Sequence, residues 1–366
     1  MNKKTITDQN IYFKKALLYW NKQKNNRQMP WKGEKDPYKI WLSEIILQQT
    51  RVAQGLDYYN KFVREYPTIQ NLAKATDQKT FKLWEGLGYY SRCKNLIHTA
   101  RYITDTYNGI FPNEFEKIIA LKGIGEYTAS AIASFAFNQP YAVVDGNVFR
   151  VLARFFGIQL PTDTNEGKRY FKELAKALLD EKQPGIYNQA IMDFGATVCT
   201  PQQPDCTLCP LNSKCVAFSE DAVSLYPEKV KSIKKKERWF YYLLIQQNNR
   251  VFIRQRINKD IWQDLYEFVL IEKQKKTDLT ILKNVKSIIK EANIPANKYS
   301  VEKISTETSQ ILSHQIIRGQ LIHIKCTDIN FGNEYKPIAI SKIKQFPFPK
   351  FITSYLKDKN VSLNLF

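Results

Sequence analysis

The spacing of apolar residues changes once along this chain, and that change limits the folds open to it. Up to residue 225, apolar residues recur at helical spacing, as in Thr128–Phe137 and Tyr187–Val198, which predicts a run of helices. From residue 238 the chain has short runs rich in β-branched and aromatic residues, such as Trp239–Ile245 and Arg250–Arg254, which are typical of strands. We therefore expect an all-α domain followed by a smaller α+β domain.

The segment between the two patterns is a predicted linker. Residues 226–237 contain five lysines and lack an apolar helical face, which favours an exposed connection. The helical domain is accordingly placed at residues 1–225, the linker at 226–237 and the second domain at 238–366, where a helix at Leu279–Ala292 and strands near Gln320–Lys325 and Ile338–Ile340 are predicted. A chain of 366 residues is long enough for two domains.

Four of the six cysteines lie close together shortly before the linker. Cys199, Cys206, Cys209 and Cys215 form a C-x6-C-x2-C-x5-C pattern in a proline-rich loop. Thiolates at this spacing can converge on one metal centre, either a structural zinc ion or a [4Fe–4S] cluster. The spacing favours the cluster, but composition alone leaves both open. No open ligand position is evident, so the centre is expected to hold the loop.

The chain carries a large excess of positive charge. Lys and Arg number 55 against 35 Asp and Glu, a formal net charge of +20, which suits nucleic acid or an anionic membrane surface. No apolar run approaches the ~20 residues of a membrane-spanning helix, and the amino terminus lacks the apolar region of a signal peptide. We therefore expect a cytoplasmic protein, in a reducing compartment where the cysteines do not form disulfides.

Two carboxylates stand out by their position. Glu44 lies between Ile40 and Leu47 on an apolar helical stripe, where desolvation should raise the pKa of its carboxyl and suit it to act as a general acid. Asp145 precedes a predicted helix as a natural N-cap, and donors at the helix start should keep it ionised. An acid beside an ionised carboxylate is the arrangement used in glycosidic-bond chemistry.

A short turn joins two predicted helices just before residue 128. Gly123 and Gly125 flank Ile124, so the turn can be tight and its backbone N–H groups can face a phosphate. The positive end of the next helix would point at the same anion. A plain turn would also account for this pattern.

Together these motifs resemble those of MutY-type adenine DNA glycosylases, in the helix–hairpin–helix superfamily, over nearly the full chain. The matching segments are Leu42-Ser43-Glu44, Leu47-Gln48-Gln49-Thr50, Gly86-Leu87-Gly88-Tyr89-Tyr90, Gly123-Ile124-Gly125, Val144-Asp145-Gly146-Asn147 and the four-cysteine loop. The resemblance implies an all-α, two-lobed helix–hairpin–helix glycosylase domain with a [4Fe–4S] loop, followed by a smaller α+β Nudix-like domain. The six-helix lobe would span about residues 30–137 and the iron–sulfur lobe about 1–29 plus 138–225.

The resemblance also implies roles for individual side chains. Glu44 would protonate adenine and Asp145 would stabilise the sugar cation, with Tyr127 and Asn147 assisting. In related lyases a lysine lies two residues after the last hairpin glycine and forms a Schiff base; Tyr127 occupies that position here, which favours a monofunctional enzyme. The implied DNA contacts are Gln48, Gln49, Thr50, Leu87, Tyr89, Lys122, Gly123, Gly125, Ser313 and His314, and the implied ligands of a [4Fe–4S] cluster are Cys199, Cys206, Cys209 and Cys215.

The second domain is similar to the Nudix-like domain with which this family reads 8-oxoguanine. Leu312-Ser313-His314 resembles the family's Phe-Ser-His loop, with leucine in place of phenylalanine. The acidic metal site of Nudix hydrolases is missing from the lysine-rich stretch Glu272–Glu291. We therefore expect lesion recognition and no pyrophosphohydrolase activity.

The implied function is removal, in base excision repair, of adenine mispaired with 8-oxoguanine or guanine. The expected partner is double-stranded DNA containing that mispair, bound by a monomer without membrane association at a bacterial nucleoid. The alternatives are a lyase acting on oxidised pyrimidines, a DNA-binding protein that has lost catalysis, and a membrane-surface or nucleotide-hydrolysing protein. Tyr127 disfavours the first alternative, the intact acidic residues disfavour the second, and the cysteines are unexplained by the third.

Overall fold

The computed structural model of the chain describes residues 3–230 and 235–357, with side chains described from residue 8. It contains two compact units. The helical unit comprises residues 1–74 and 95–232, and the mixed unit comprises residues 75–94 and 233–366. Part of the predicted linker, residues 231–234, lies outside the described residues.

The described residues form fourteen α-helices. Among them, none combines the length and the apolar character that crossing a lipid bilayer requires. The helices are α1 (Lys3–Gln23), α2 (Pro37–Leu47), α3 (Val52–Glu65), α4 (Ile69–Lys74), α5 (Asp77–Trp84), α6 (Tyr90–Thr106), α7 (Phe115–Ile119), α8 (Glu126–Phe137), α9 (Gly146–Phe156), α10 (Asn165–Leu178), α11 (Pro184–Thr197), α12 (Val216–Ser219), α13 (Leu282–Glu291) and α14 (Lys350–Lys357).

Helices α2 and α9 of the helical unit each begin at a side-chain cap. Asp36 accepts a hydrogen bond from the Tyr38 amide at 2.9 Å at the start of α2. Asp145 accepts one from the Val148 amide at 2.8 Å at the start of α9, which confirms its expected position as an N-cap. Because a capped helix start is fixed in direction, both helices present their first turns in defined positions.

An apolar core holds α1, α9 and α11 together. The ring centroids of Phe13 and Phe155 are 4.8 Å apart, and those of Trp20 and Phe194 are 5.0 Å apart in an edge-on contact. Tyr226, placed at the start of the predicted linker, is buried in this core. The packed part of the helical unit therefore extends beyond residue 225.

The mixed unit is built on an eight-stranded sheet. Its path is β3-β2-β1-β7-β5, with β4 paired to β1, β6 to β7 and β8 to β2. β1 and β7 run parallel and the other pairs run antiparallel. The strands are β1 (Lys236–Gln247), β2 (Arg250–Gln255), β3 (Tyr266–Glu267), β4 (Val269–Lys273), β5 (Tyr299–Ile304), β6 (Thr308–Ile311), β7 (Gln315–Cys326) and β8 (Lys336–Ala339).

The strand boundaries differ from the sequence prediction in two ways. β1 begins inside the predicted linker, because Lys236 pairs with Gln315 of β7. The sequence prediction lacks β3, β4, β5 and β6. The side chains of β5 and β6 are mostly exposed or half-buried and show little apolar alternation. Pairing with β7 supplies the hydrogen bonds that hold them as strands.

Residues 75–94, which we assigned to the six-helix lobe, pack within the mixed unit. Lys82 Nζ donates to the Phe346 carbonyl at 3.1 Å, and the Phe348 amide donates to Glu85 Oε1 at 3.0 Å. These bonds join positions more than 260 residues apart in the chain. Local periodicity identifies α5 as a helix but contains no information on which unit it joins.

Gly319 offers a test of the β1–β7 pairing. Its φ is +156°, and a Cβ atom there would lie 1.7 Å from the Phe240 carbonyl oxygen across the sheet. We expect Gly319→Ala to lower the free energy of unfolding of the mixed unit by about 3 kcal/mol or more, because the strands must separate. Gly332→Ala is the control, since Gly332 has φ +58° but open space around it and should cost about 1 kcal/mol. If chemical denaturation gives the same loss of unfolding free energy for Gly319→Ala and Gly332→Ala, the close approach at Gly319 is contradicted.

Candidate active site

A cavity of about 710 Å³ lies within the helical unit. Residues from the 21–50 segment, α8, the start of α9 and α11 line it, so both predicted lobes contribute. Seven predicted site residues meet there, namely Glu44, Gln48, Gln49, Thr50, Tyr127, Asp145 and Asn147.

Glu44 is the most buried carboxyl of the cavity wall, with 7% of its surface exposed. Burial raises the pKa of this carboxyl from 4.5 to about 7. A hydrogen bond from the Tyr127 phenol acts in the opposite direction, and the nearby Asp145 carboxylate raises the pKa further. Because burial disfavours the charged form most, Glu44 carries a proton in a large fraction of molecules at neutral pH.

Both oxygens of Asp145 are held at the first turn of α9. Oδ1 accepts from the Val148 amide at 2.8 Å and Oδ2 accepts from Asn147 Nδ2 at 2.9 Å. Burial raises the pKa of Asp145, whereas these donors and the Arg150 guanidinium lower it. The carboxylate is therefore fixed in orientation, and its donors support the charged form.

Tyr127 is the phenol between the two acids. Burial, followed by the charges of Glu44 and Asp145, raises its pKa well above the usual value. The side chain therefore stays protonated and acts as a hydrogen-bond donor.

Arg150 ties Asn147 to the cysteine loop, a connection that we did not predict. Its Nη2 donates to Asn147 Oδ1 at 2.9 Å and to the Gly195 carbonyl at 2.7 Å, and its Nε donates to the Cys199 carbonyl at 2.8 Å. Only glycine fits at position 195, because a Cβ would lie 2.7 Å from Asn147 Cβ. The sequence signal for this contact was Arg150 itself, a basic residue among the apolar residues of α9.

The four clustered cysteines surround a second, small cavity of about 30 Å³. No group of three or more ligands close enough for a single metal ion occurs among the described side chains. Burial raises the pKa of Cys206, Cys209 and Cys215, and the neighbouring cysteines raise it further. Four thiols around one space are a donor set that, once deprotonated, suits either a structural zinc ion or an iron–sulfur cluster.

Tyr89 and Ser313, predicted from distant motifs, meet in the mixed unit. The Tyr89 hydroxyl lies 2.9 Å from Ser313 Oγ, and the Tyr89 backbone is left-handed with φ +47°. Tyr89 is 44% exposed, whereas Leu87 is buried at 6%. His314 lies in the β6–β7 turn, where its carbonyl accepts from the Lys236 amide at 3.0 Å. Leu87 thus packs inside the unit, while Tyr89 presents an exposed ring.

The glycine turn has the geometry expected of a hairpin between α7 and α8. Thr99 Oγ1 donates to the Lys122 carbonyl at 2.8 Å. Gly123 has φ +81°, and Asn95 packs where its Cβ would be. Gly125 precedes α8, with open space around it. Among the described residues, this hairpin lies apart from those lining the 710 Å³ cavity.

Comparison with known proteins decides the family. Residues 42–179 match the model of the HhH-GPD superfamily of base excision DNA repair proteins, and residues 240–358 match the NUDIX domain model. The adenine DNA glycosylase of Buchnera aphidicola subsp. Baizongia pistaciae is 36% identical over 291 residues, which cover 78% of this chain and 80% of the relative. The chain belongs to the MutY-type adenine DNA glycosylase family.

Other proteins are similar to a smaller part of the chain. The adenine DNA glycosylase of Rattus norvegicus is 42% identical over 214 residues, covering 56% of this chain and 41% of the relative. A thermostable thymine-DNA glycosylase structure aligns with a TM-score of 0.55 at 28% identity, covering 59% of this chain and 99% of that one. The structure of an endonuclease III–DNA complex aligns with a TM-score of 0.51 at 21% identity, covering 60% of this chain and 98% of that one. This similarity supports the fold alone. The protein is a DNA glycosylase with a helix–hairpin–helix domain and a Nudix-like domain.

The sequence analysis did not predict the residues that form one wall of the cavity. Arg27, Lys32 and Gln189 line it, and each is bonded to Asp193, which is fully buried. An acidic residue inside the apolar helix α11 was a usable signal, of the same kind that drew attention to Glu44.

Proposed function

We propose that this glycosylase removes adenine opposite 8-oxoguanine or guanine in double-stranded DNA, without lyase activity, as a monomer. The observation that carries the proposal is the pairing of two unlike carboxyls in one cavity. Glu44 is buried with a pKa of about 7, and Asp145 is held by donors at a helix start. Such a separation of acid and charged base is how paired carboxyls divide their roles.

The chemistry begins with a base outside the duplex. Adenine rotates out of the helix into the cavity, where Glu44 transfers its proton to N7 and makes the base a better leaving group. The carboxylate of Asp145, oriented by Asn147, stabilises the positive charge that develops on the sugar. The bond between C1′ and N9 then breaks and adenine leaves as the neutral base. Water adds to C1′ and gives its proton to the Glu44 carboxylate, which leaves an abasic site.

Tyr127 explains the absence of a lyase step. A phenol cannot form the imine through which a lysine would cleave the strand. Its hydrogen bond to Glu44 instead orients the acid toward the base. The DNA strand therefore stays intact after adenine leaves.

The opposite base is read by the mixed unit and its neighbouring DNA contacts. The exposed ring of Tyr89 stacks in the duplex, where base stacking on an aromatic ring contributes about 1–3 kcal/mol. Ser313 and His314 contact the 8-oxoguanine edge. Gln48, Gln49 and Thr50 fill the space that adenine leaves, and Lys122, Gly123 and Gly125 bind backbone phosphate through the hairpin.

Cys199, Cys206, Cys209 and Cys215 bind a [4Fe–4S] cluster. When bound, the cluster holds the loop in place and takes no part in the bond cleavage. The residues that surround the 30 Å³ cavity also include Arg154, whose Nη1 lies 3.5 Å from Cys199 Sγ. A cation at that distance offsets part of the thiolate charge.

Glu44→Gln tests the central proposal. The amide keeps the shape but carries no transferable proton, so single-turnover release of adenine should fall about 10²–10⁴-fold while DNA affinity is retained. In the unchanged protein the rate should fall as pH rises through about 7, because the acid form is lost. Product strands should remain uncut until alkali is added.

Glu173→Gln, at an exposed position of α10, is a control for the loss of a glutamate elsewhere in the chain, and it should release adenine at nearly the normal rate. Retained adenine release by Glu44→Gln would overturn the assignment. A strong covalent adduct with borohydride would instead support a lyase.

Ser313→Ala tests the reading of the opposite base. We expect adenine release opposite 8-oxoguanine to slow about tenfold relative to release opposite guanine, because a hydrogen bond to the lesion is lost. Ser309→Ala, in strand β6 of the same hairpin, is the matched control. Competition between duplexes containing 8-oxoguanine, guanine and thymine measures the preference, and an unchanged preference would contradict the role of Ser313.

Cys209→Ser tests the cofactor. Purified protein should contain iron and acid-labile sulfide in equal amounts, and the substitution should remove both together with the visible absorption of the cluster. Cys326→Ser, in the mixed unit, should leave them unchanged. Zinc in place of iron would identify the centre as a structural ion.

A further inference from the structure

Helix α10 carries charged side chains that the mechanism above does not use. Its apolar side packs into the helical unit, where the Phe171 ring lies edge-on to that of Phe149 of α9, with the ring centroids 5.2 Å apart. Thr164 Oγ1 accepts from the Gly167 amide at 3.0 Å and caps the start of the helix. The helix is therefore anchored along one side and begins in a defined direction.

The charges of α10 are sorted by sign. Successive residues of an α-helix lie about 100° apart around its axis, and at that spacing the basic residues of α10 share one part of the exposed surface. The two acidic residues, Glu166 and Glu173, share the other part. The first group is called here the basic side of α10, and its members are Lys168, Arg169, Lys172 and Lys176.

The basic side of α10 faces the hairpin. Lys172 forms an ion pair with Glu126, the residue that follows the hairpin and begins α8, and both side chains are 53% exposed. Lys168 and Lys176 lie about one helical turn to either side of Lys172, some ~6 Å away along the axis. Among the residues that the structure describes, none forms an ion pair with Lys168, Arg169 or Lys176. Their charge is therefore available to an external anion.

Glu126 places a negative charge at the proposed phosphate site of the hairpin. The first turn of a helix offers N–H groups and a partial positive charge to an anion, whereas a carboxylate in that turn repels the anion. The ion pair with Lys172 offsets this repulsion. A phosphate that reaches the hairpin thus meets an acidic residue that already has a basic partner.

We propose that the basic side of α10 is a second contact surface for the DNA backbone, in which Lys172 exchanges Glu126 for a phosphate. The occupant is duplex DNA, because a row of lysines matches a row of phosphates in charge and the surface is continuous with the hairpin through Lys172. The row from Lys168 to Lys176 spans about 12 Å. This inference rests on the proposed binding of phosphate by the hairpin and adds contacts outside it.

Lys168→Gln combined with Lys176→Gln tests the surface. A lysine that contacts a phosphate displaces counterions, so the double substitution should lower the slope of log Kd against log salt concentration by about 1.8. Affinity at low salt should fall on the order of tenfold. The loss should be equal for a mispaired and a fully paired duplex, because phosphate contacts carry no sequence information. Both positions are exposed, so the unfolding temperature should not change.

Lys61→Gln combined with Arg64→Gln is the matched control. Both residues are exposed near the end of α3, and the change in net charge is the same, but the slope should equal that of the unchanged protein. An equal reduction of the slope in both double variants, or none in the α10 variant, would overturn the inference. A loss of binding confined to vesicles of phosphatidylglycerol would assign the surface to an anionic membrane and would also overturn it.

Glu126→Gln tests the exchange at Lys172. The substitution removes the acidic partner that competes with phosphate, so duplex affinity at low salt should rise about two- to fivefold. Glu173→Gln changes the net charge by the same amount on the acidic side of α10 and should leave the affinity nearly unchanged. An equal rise in both variants would be a general charge effect and would overturn the exchange.

The duplex-binding measurement separates this inference from the proposed function. If the unchanged protein does not bind duplex DNA, the proposed function fails. If it binds DNA and releases adenine, but the α10 variants match their controls, only the second contact surface is lost.

Discussion

The burial of Glu44 on α2 favours the protonated form of its carboxyl. Burial is the largest influence on the pKa of this carboxyl, and it outweighs the Tyr127 hydrogen bond that favours the charged form. Asp145 shares the same cavity, yet its donors come from the start of α9. One cavity thus contains two carboxyls whose pKa values burial raises, and only that of Asp145 is countered by donors at a helix start. The positions of α2, α8 and α9 serve to keep these two environments distinct.

Several buried polar groups connect this cavity to the remainder of the helical unit. Arg150 links Asn147 to the carbonyl of Cys199, and Asp193 links the 25–32 segment to α11. Each would be costly without its partners, so the elements that carry them can adopt few alternative arrangements. Charged and polar contacts therefore hold the walls of the cavity in place together with apolar packing.

Sequence reasoning succeeded where the signal was local. The helical spacing, the cap at Asp145 and the apolar stripe around Glu44 each depend on residues a few positions apart, and the structure confirms these features. The prediction was less complete where distant segments pair. β5 and β6 depend on β7, and the donors of Asp193 come from α11 and from residues about 160 positions away. Pairing over such separations leaves no periodic trace in the chain.

The packing of residues 75–94 within the mixed unit has a consequence for synthesis of the chain. During translation this segment emerges early, but its partners near residues 345–348 leave the ribosome only at the end. The mixed unit therefore cannot fold as a contiguous carboxy-terminal block, because residues 75–94 belong to it, whereas domains commonly fold as units during synthesis. Residues 75–94 must wait for these later segments, so a ribosome that stalls after the linker leaves α5 without its contacts to residues 346 and 348.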